Sequence, residues 1–156
     1  MAWSNSKIFM AFLEDVFENT TAMDTNADTF KNALYDNDIT PSQTVTSANS
    51  AYNVDQWVTT GNEVSEAGQW ATGGVALASV TSAFSSNVYT FDAADTASGS
   101  AADLANVYGC LIYDDTIAAP VADQGVCYLY FGGANSVVNG TFTVQYAAAG
   151  IYSITA

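Results

Sequence analysis

The chain has 156 residues, of which sixteen are aspartate or glutamate, two are lysine (Lys7 and Lys31) and none is histidine or arginine. The formal net charge of −14 excludes nucleic acid and anionic membrane surfaces as partners, because both are bound through many basic side chains. Apolar residues make up 49% and charged residues only 12%, and this composition favours a single β-rich domain over residues 1–156 with a surface of Thr, Ser, Asn and Gln.

The first predicted element is an amphipathic helix over residues 4–19. Its apolar face recurs at helical spacing and consists of Ile8, Phe9, Phe12, Leu13, Val16 and Phe17. A polar side chain at Ser4, Asn5 or Ser6 can cap the first turn. We expect the apolar face to cover one side of a sheet, and the alternative is an arm that docks on a partner.

No targeting segment is predicted. A secretory signal needs an apolar stretch of about 7–15 residues after a basic start, whereas only six apolar residues separate Lys7 from Glu14. No apolar run approaches the ~20 residues of a transmembrane helix. We therefore expect the chain to act where it is made, or to leave the cell as part of an assembly.

A first strand is predicted over residues 28–35. Phe30 and Leu34 would face inward in this strand. Asn32 lies on the same face and weakens the pattern, because an amide side chain is an unusual neighbour for core residues. Pro41 follows a short polar stretch and marks a turn after the strand.

Residues 42–74 predict a long irregular excursion over the surface of the domain. Within it, residues 47–53 (SANSAYN) predict one short helix. Trp57 and Trp70 are isolated large aromatic residues in this excursion. We expect both to anchor the excursion to the core, and the alternative is that their rings are exposed as platforms for a ligand.

From residue 75 onward one strand follows another, so residues 75–156 form the predicted strand-rich core. Apolar, β-branched and aromatic residues dominate the segments 75–83, 87–91, 104–113, 125–131, 140–147 and 150–155. Small and polar residues separate these segments and predict turns at 92–103, 132–140 and 148–150. Short strands at close spacing predict an antiparallel β-sandwich or barrel-like domain.

The two cysteines, Cys110 and Cys127, lie in apolar strand-like segments. The favoured interpretation is two buried thiols that act as small apolar residues. If the two segments pair as neighbouring strands, a disulfide is geometrically possible but not required. No histidine and no CxxC spacing accompanies them, so a zinc site is not expected.

One stretch resembles the opening of a calcium-binding loop, with Asp24, Asn26 and Asp28 at alternate positions. The loop would need glycine at its sixth position and glutamate at its twelfth, where this chain has Thr29 and Tyr35. We therefore expect a solvated turn. The other acidic groups in predicted loops are Asp92 with Asp95 and Asp114 with Asp115. None defines a site, and no metal or cofactor is predicted.

Catalysis is not expected either. A serine or cysteine nucleophile has no histidine to activate it. The pairs Gly73-Gly74 and Gly132-Gly133 lack the Lys and Ser/Thr of a phosphate loop, so they predict turns. Paired carboxylates can hydrolyse glycosides without histidine, which leaves a glycosidase-like enzyme open in principle. No particular pair of carboxylates is marked for that role.

Several segments carry a family resemblance. In chain order they are the N-terminal helix, 28–44 (DTFKNALYDNDITPSQT), 63–79 (EVSEAGQWATGGVALAS), 89–95 (YTFDAAD), 106–133 (NVYGCLIYDDTIAAPVADQGVCYLYFGG) and 140–156 (GTFTVQYAAAGIYSITA). Together they resemble small virion proteins of tailed bacteriophages that decorate the capsid. The resemblance implies a β-rich protein, often oligomeric, that binds the lattice of the major capsid protein from outside and strengthens it. It transfers no catalytic residue, and Asn32 departs from it, since an apolar residue is usual there.

The acidic charge agrees with a position on the outer face of the virion. A shell filled with DNA favours basic surfaces inside, so a chain with a charge of −14 is repelled from the lumen. Such a protein would be made in the cytoplasm of the bacterial host. The alternative is a phage tail or fibre component that contacts a host surface glycan, with Trp57, Trp70 or loop tyrosines as stacking platforms.

Overall fold

Antiparallel strands provide most of the regular structure in residues 3–155, which are the residues that the computed structural model describes. The strands are β1 (Lys7–Ile8), β2 (Phe30–Tyr35), β3 (Glu63–Val64), β4 (Val75–Ala76), β5 (Thr81–Ser85), β6 (Val88–Asp92), β7 (Thr96–Ala97), β8 (Ala102–Asp114), β9 (Gly125–Gly140), β10 (Thr143–Val144) and β11 (Tyr152–Thr155). The helices are α1 (Met10–Glu18) and α2 (Ser47–Ser50), and Asp55–Trp57 forms a 3-10 turn. The predicted mainly β, antiparallel fold with an N-terminal helix is confirmed.

Three sheets are formed within the described residues. The main sheet has the strand order β1–β9–β8–β2–β3, and β4 also pairs with β2. Its centre is the pairing of β2 with β8, which runs from Phe30 opposite Asp114 to Tyr35 opposite Gly109. The second sheet has the order β11–β6–β5, and the third consists of β7 and β10.

The second sheet packs against the main sheet in a sandwich-like arrangement. The ring centroids of Phe30 in β2 and Phe91 in β6 are 5.0 Å apart, and Phe91 stacks on Tyr152 of β11 at 5.2 Å. A second aromatic group surrounds Trp57. Its members are Trp3, Phe9, Tyr35 and Tyr128. Both groups belong to one connected hydrophobic core.

The N-terminal helix begins later than predicted. α1 starts at Met10 and not near residue 4, because Lys7–Ile8 forms an edge strand that pairs with Tyr128 and Cys127 of β9. The backbone N–H of Phe9 continues this contact by donating to the carbonyl of Val126 at 3.0 Å. The edge of β9 thus supplies backbone partners that a helical turn would otherwise have provided. Phe9 therefore precedes the helix in an extended conformation.

Two predictions for the second half of the chain, one turn and one strand, are wrong. The turn predicted at 132–140 is instead the end of β9. Gly132 and Gly133 take φ values of 81° and 153° there, and the register with β8 shifts across them. Such a bulge bends a strand without ending it. Conversely, the strand predicted at 140–147 is reduced to β10.

The strand predicted at 75–83 is divided into β4 and β5. Ser79 lies between them with a positive φ of 53°, which a continuous strand does not allow. The first strand was predicted more closely, since β2 begins at Phe30, and both Phe30 and Leu34 are buried. Asn32 is also buried, and its Nδ2 donates to the hydroxyl of Tyr146 at 2.8 Å. This hydrogen bond satisfies the amide nitrogen, whereas the Oδ1 atom of Asn32 has no hydrogen-bond partner among residues 3–155.

Candidate interaction surface

Trp57 and Trp70 anchor the irregular segment, as predicted. Residues 42–74 contain only α2, the 3-10 turn, β3 and an isolated bridge, and both tryptophans in this segment are fully buried. Trp70 donates its indole N–H to the carbonyl of Asn32 at 3.1 Å. Tyr35 donates its hydroxyl to the carbonyl of Trp57 at 2.6 Å. Neither indole ring is exposed, so neither can serve as a stacking platform for a sugar.

Cys110 and Cys127 are free, buried thiols, which confirms the favoured interpretation. They lie on the neighbouring strands β8 and β9, where Cys110 is opposite Leu129 and Cys127 is opposite Ile112. Burial raises the pKa of both thiols well above the ordinary value. Because the thiolate is the reactive form of cysteine, these two residues serve as core packing.

The segment that contains Asp24, Asn26 and Asp28 forms a turn that is hydrogen-bonded to the second sheet. Asp24 accepts a hydrogen bond from the backbone N–H of Asn26 at 2.9 Å, and Asp28 accepts one from that of Asp24 at 2.6 Å. Asn26 accepts from both the backbone N–H and the hydroxyl of Ser82 in β5. In residues 3–155 no group of three or more acidic or cysteine side chains could hold a metal ion.

The other acidic candidates also stabilise loops. Asp95 accepts from the backbone N–H of Tyr146 at 3.0 Å, and Asp92 accepts from that of the residue after it. Asp115 forms an ion pair with Lys31 at 2.9 Å. The Gly73-Gly74 pair forms a turn, as predicted, since the backbone N–H of Gly74 donates to the carbonyl of Ala71 at 2.8 Å. The carbonyl of Gly73 accepts a hydrogen bond from the hydroxyl of Tyr113 at 2.7 Å.

Asp114 differs from the loop residue that the sequence predicted. It is the last residue of β8 and is fully buried. Its Oδ1 accepts from the backbone N–H groups of Thr116 and Ile117, while its Oδ2 has no donor among residues 3–155. The carboxyl group of Asp28 faces it. Burial first, and then the negative charge of Asp28, raise the pKa of Asp114 to about 7.

Asp114→Asn is expected to flatten the pH dependence of stability. Between about pH 4 and about pH 7, the folded wild-type protein holds a proton on Asp114 that the unfolded chain has released. The free energy of unfolding therefore falls as the pH rises through this window, by roughly 2–4 kcal/mol. Asparagine is neutral at every pH and can donate to Asp28, so the variant should exceed the stability of the wild type at about pH 8.

Urea unfolding at about pH 5 and about pH 8 measures this difference. Asp55→Asn is the matched control, because Asp55 is exposed and the substitution removes the same charge. The control should retain the wild-type pH dependence. If Asp114→Asn also retained it, the buried carboxyl pair would not be its source.

An apolar groove with a volume of 390 Å³ lies between α1 and the second sheet, and we call it the α1 groove. Its lining residues are Phe12, Leu13, Val16, Phe17, Met23, Thr25, Phe84, Asn87, Tyr89, Tyr152 and Ile154. The rings of Phe12 and Tyr152 meet at its base, 6.2 Å apart. One wall is formed by α1, and the opposite wall is formed by the three strands of the second sheet.

Two phenylalanines of the α1 groove are largely exposed. Phe17 near the end of α1 is 77% exposed, and Phe84 at the end of β5 is 70% exposed. The expectation that the whole apolar face of the helix covers a sheet is therefore only partly correct. Phe12 is buried, but Val16 and Phe17 extend beyond the sheet. Phe84 was not part of the strand predicted at 75–83. The sequence feature that could have marked it is a large apolar residue beside the Ser86-Asn87 turn.

Hydrogen bonds to the carboxylate of Asp15 help to hold α1 in position. Asp15 accepts hydrogen bonds from Ser47 of α2, from Thr20 and from Gln124. Burial disfavours the charge of Asp15, but these hydrogen bonds outweigh it and lower the pKa of its carboxyl group. These hydrogen bonds join the polar side of α1 to α2 and to the residue before β9.

Exposed carboxylates are found on the elements that form the α1 groove. Glu14 and Glu18 are exposed on α1, and Asp24 is exposed beside Met23. The two lysines lie on β1 and β2, and neither lines the groove. A partner that approaches this surface therefore meets a negative potential around an apolar centre.

A second cleft of 380 Å³ lies between β9 and β10. Its lining residues are Tyr130, Phe131, Asn135, Phe142, Thr143, Val144 and Gln145. None of these residues is an aspartate, glutamate, lysine or cysteine, so the cleft carries no charged side chain. The α1 groove is the stronger candidate because its lining is apolar and two of its rings are exposed.

Comparison with known proteins yields no relative: no family model, no curated protein and no solved structure matches this chain. The helices of the described residues are also too short to cross a membrane. The candidate surface is therefore interpreted from its own chemistry.

Proposed function

We propose that this chain is a structural virion protein that binds the outer surface of a phage capsid and stabilises the shell. The family resemblance of the sequence supports this proposal. The observation that carries it is the α1 groove, an exposed apolar surface on an acidic β-rich protein. The partner would be the lattice of the major capsid protein, and the family resemblance further supports a homo-oligomer on that lattice.

The chemistry of the groove suits non-covalent attachment. Covering an exposed phenylalanine side chain contributes about 1.5–3 kcal/mol, and both Phe17 and Phe84 are available for this. Such a contribution is modest for one copy. Many copies on one shell reinforce the lattice together, and each copy needs only moderate affinity if neighbouring copies also touch.

The charge supports the outer face. The packaged DNA and a chain with a net charge of −14 repel each other, whereas the outer surface places no such constraint on charge. An acidic exposed side would also keep neighbouring particles apart.

The test is made on purified particles. We expect the chain to co-purify with capsids and to raise the temperature at which they release their DNA. Particles depleted of the chain should regain this resistance when wild-type protein is added back, but not when the Phe17→Ser/Phe84→Ser variant is added. Absence of the chain from purified particles would contradict the proposal.

Imaging of labelled protein on virions separates the two sites that the sequence left open. Signal over the whole head supports decoration of the capsid. Signal confined to the tail would instead support a tail or fibre component, and the proposal would then be wrong.

A further inference from the structure

We infer that the α1 groove receives an amphipathic segment of a partner protein, in which large apolar side chains are flanked by lysine or arginine. This inference rests on the proposed function only in taking the groove as the attachment surface. It adds the chemistry of the occupant, which neither the sequence resemblance nor the fold supplies.

The interior of the groove requires an apolar group. Thr25, Tyr89 and Tyr152 carry the hydroxyl groups on its lining, and those of Thr25 and Tyr89 bond to each other at 2.9 Å. Thr25 also bonds to the hydroxyl of Ser82 at 3.0 Å. Two of the three hydroxyls are thus already paired within the protein, so a sugar or other polar ligand would gain little from them. Large aliphatic or aromatic side chains would instead gain the full benefit of burial.

The shape of the groove favours a short segment of chain. Its wall on α1 presents Leu13, Val16 and Phe17, which lie along one side of the helix, and its volume of 390 Å³ accommodates a few large side chains. Phe84 stands at the opposite rim. A helix or strand that inserts several apolar residues would cover both exposed phenylalanines at once, as in other helix-in-groove complexes.

The charge around the groove selects the flanking residues. Glu14 lies one helical turn before Phe17, Glu18 lies on the side of α1 away from the groove lining, and that lining contains no basic side chain among residues 3–155. Lysine or arginine beside the inserted residues would therefore be attracted, and acidic residues would be repelled. A second copy of this chain is disfavoured for the same reason, since each copy carries a net charge of −14.

The test uses the isolated full-length protein and three synthetic amphipathic peptides. One peptide combines Leu with Lys, the second has Glu in place of every Lys, and the third has Ser in place of every Leu. Fluorescence anisotropy at physiological ionic strength measures their affinities. We expect the Leu/Lys peptide to bind at least about tenfold more tightly than either of the other two, because each of them lacks one half of the recognition.

Matched variants locate the binding site. Phe17→Ser/Phe84→Ser should weaken the Leu/Lys peptide by about tenfold or more, because it removes the apolar rim and leaves the charge unchanged. Val138→Ser is the control, since Val138 is 83% exposed but lies outside the groove. Glu14→Gln/Glu18→Gln should weaken binding by about twofold to fivefold and reduce its dependence on salt. Circular dichroism checks that each variant is folded.

Four results would overturn the inference. The first is that Phe17→Ser/Phe84→Ser binds the Leu/Lys peptide as tightly as the wild type, and the second is that the Leu/Glu peptide binds the wild type as tightly as the Leu/Lys peptide. The third is that the wild-type protein is a dimer that the Phe17→Ser/Phe84→Ser variant does not form. The fourth is that the wild-type protein binds zwitterionic lipid vesicles and the variant does not. The dimer would identify a second copy as the occupant, and the vesicles would identify a lipid surface. The assay needs no particles, so a chain that coats heads but fails the peptide test refutes this inference and leaves the proposed function intact.

Discussion

Replacing Trp57 by alanine is expected to lower the free energy of unfolding by about 3–5 kcal/mol. The side chain is fully buried, and the rings of Trp3, Phe9, Tyr35 and Tyr128 surround it. These neighbours come from three different parts of the chain, the N-terminal segment, β2 and β9, and cannot close the space that the indole leaves. Urea unfolding followed by circular dichroism measures the loss.

Two further variants make this prediction specific. Val54→Ala is the control, because Val54 is 40% exposed and lies only three residues earlier, and its effect should stay within about 0.5 kcal/mol. Trp57→Phe should cost less than half as much as alanine, since it keeps a ring and removes an indole N–H that has no partner in the described part of the chain. A loss below about 1 kcal/mol for Trp57→Ala would contradict the central position of this residue.

Gly74→Ala is expected to lower stability by more than about 3 kcal/mol or to prevent folding. A Cβ atom at this position would lie 2.1 Å from the carbonyl oxygen of Asn32 and 2.4 Å from its carbonyl carbon. Both atoms belong to the backbone of β2, where β4 pairs with it, so they cannot move without breaking that pairing. The yield of soluble protein and its unfolding by urea measure the effect.

Gly61→Ala separates this collision from backbone strain. Both glycines have a positive φ, 95° at Gly61 and 81° at Gly74, but a Cβ at Gly61 would have nothing within 4 Å. Gly61→Ala should therefore cost only the left-handed conformation, about 1–2 kcal/mol. Equal losses for the two variants would show that the contact with Asn32 does not limit this position.

The fold class was predictable because strand patterns are local. Side chains alternate between the two faces of a strand whatever strand lies beside it. In the strand predicted at 140–147, Phe142 and Val144 alternate with Thr141 and Thr143, and both apolar residues are buried. The apolar segments at 104–113 and 125–131 likewise predicted the parts of β8 and β9 that pair most closely.

The ends of the elements were less predictable because they depend on partners distant in the chain. Ile8 has the spacing of a helical residue, yet it lies in β1 because the backbone of Cys127 is available beside it. Gly132 and Gly133 have the composition of a turn, yet β9 continues through them because β8 remains paired on both sides of the bulge. In each case a distant strand supplied the hydrogen bonds.

For the candidate surface, too, some features were predictable from the sequence and others depend on the tertiary structure. Composition and spacing were sufficient to predict a β-rich fold, an N-terminal amphipathic helix, anchoring tryptophans and two buried cysteines. They did not distinguish Phe12, which is buried, from Phe17, which is exposed on the same helix, and they did not mark Phe84 at all. Whether a large apolar side chain is buried depends on whether another element covers it. That depends on how α1 and the β5–β6 hairpin pack in three dimensions, because the two walls of the α1 groove are far apart in the chain and meet only after folding.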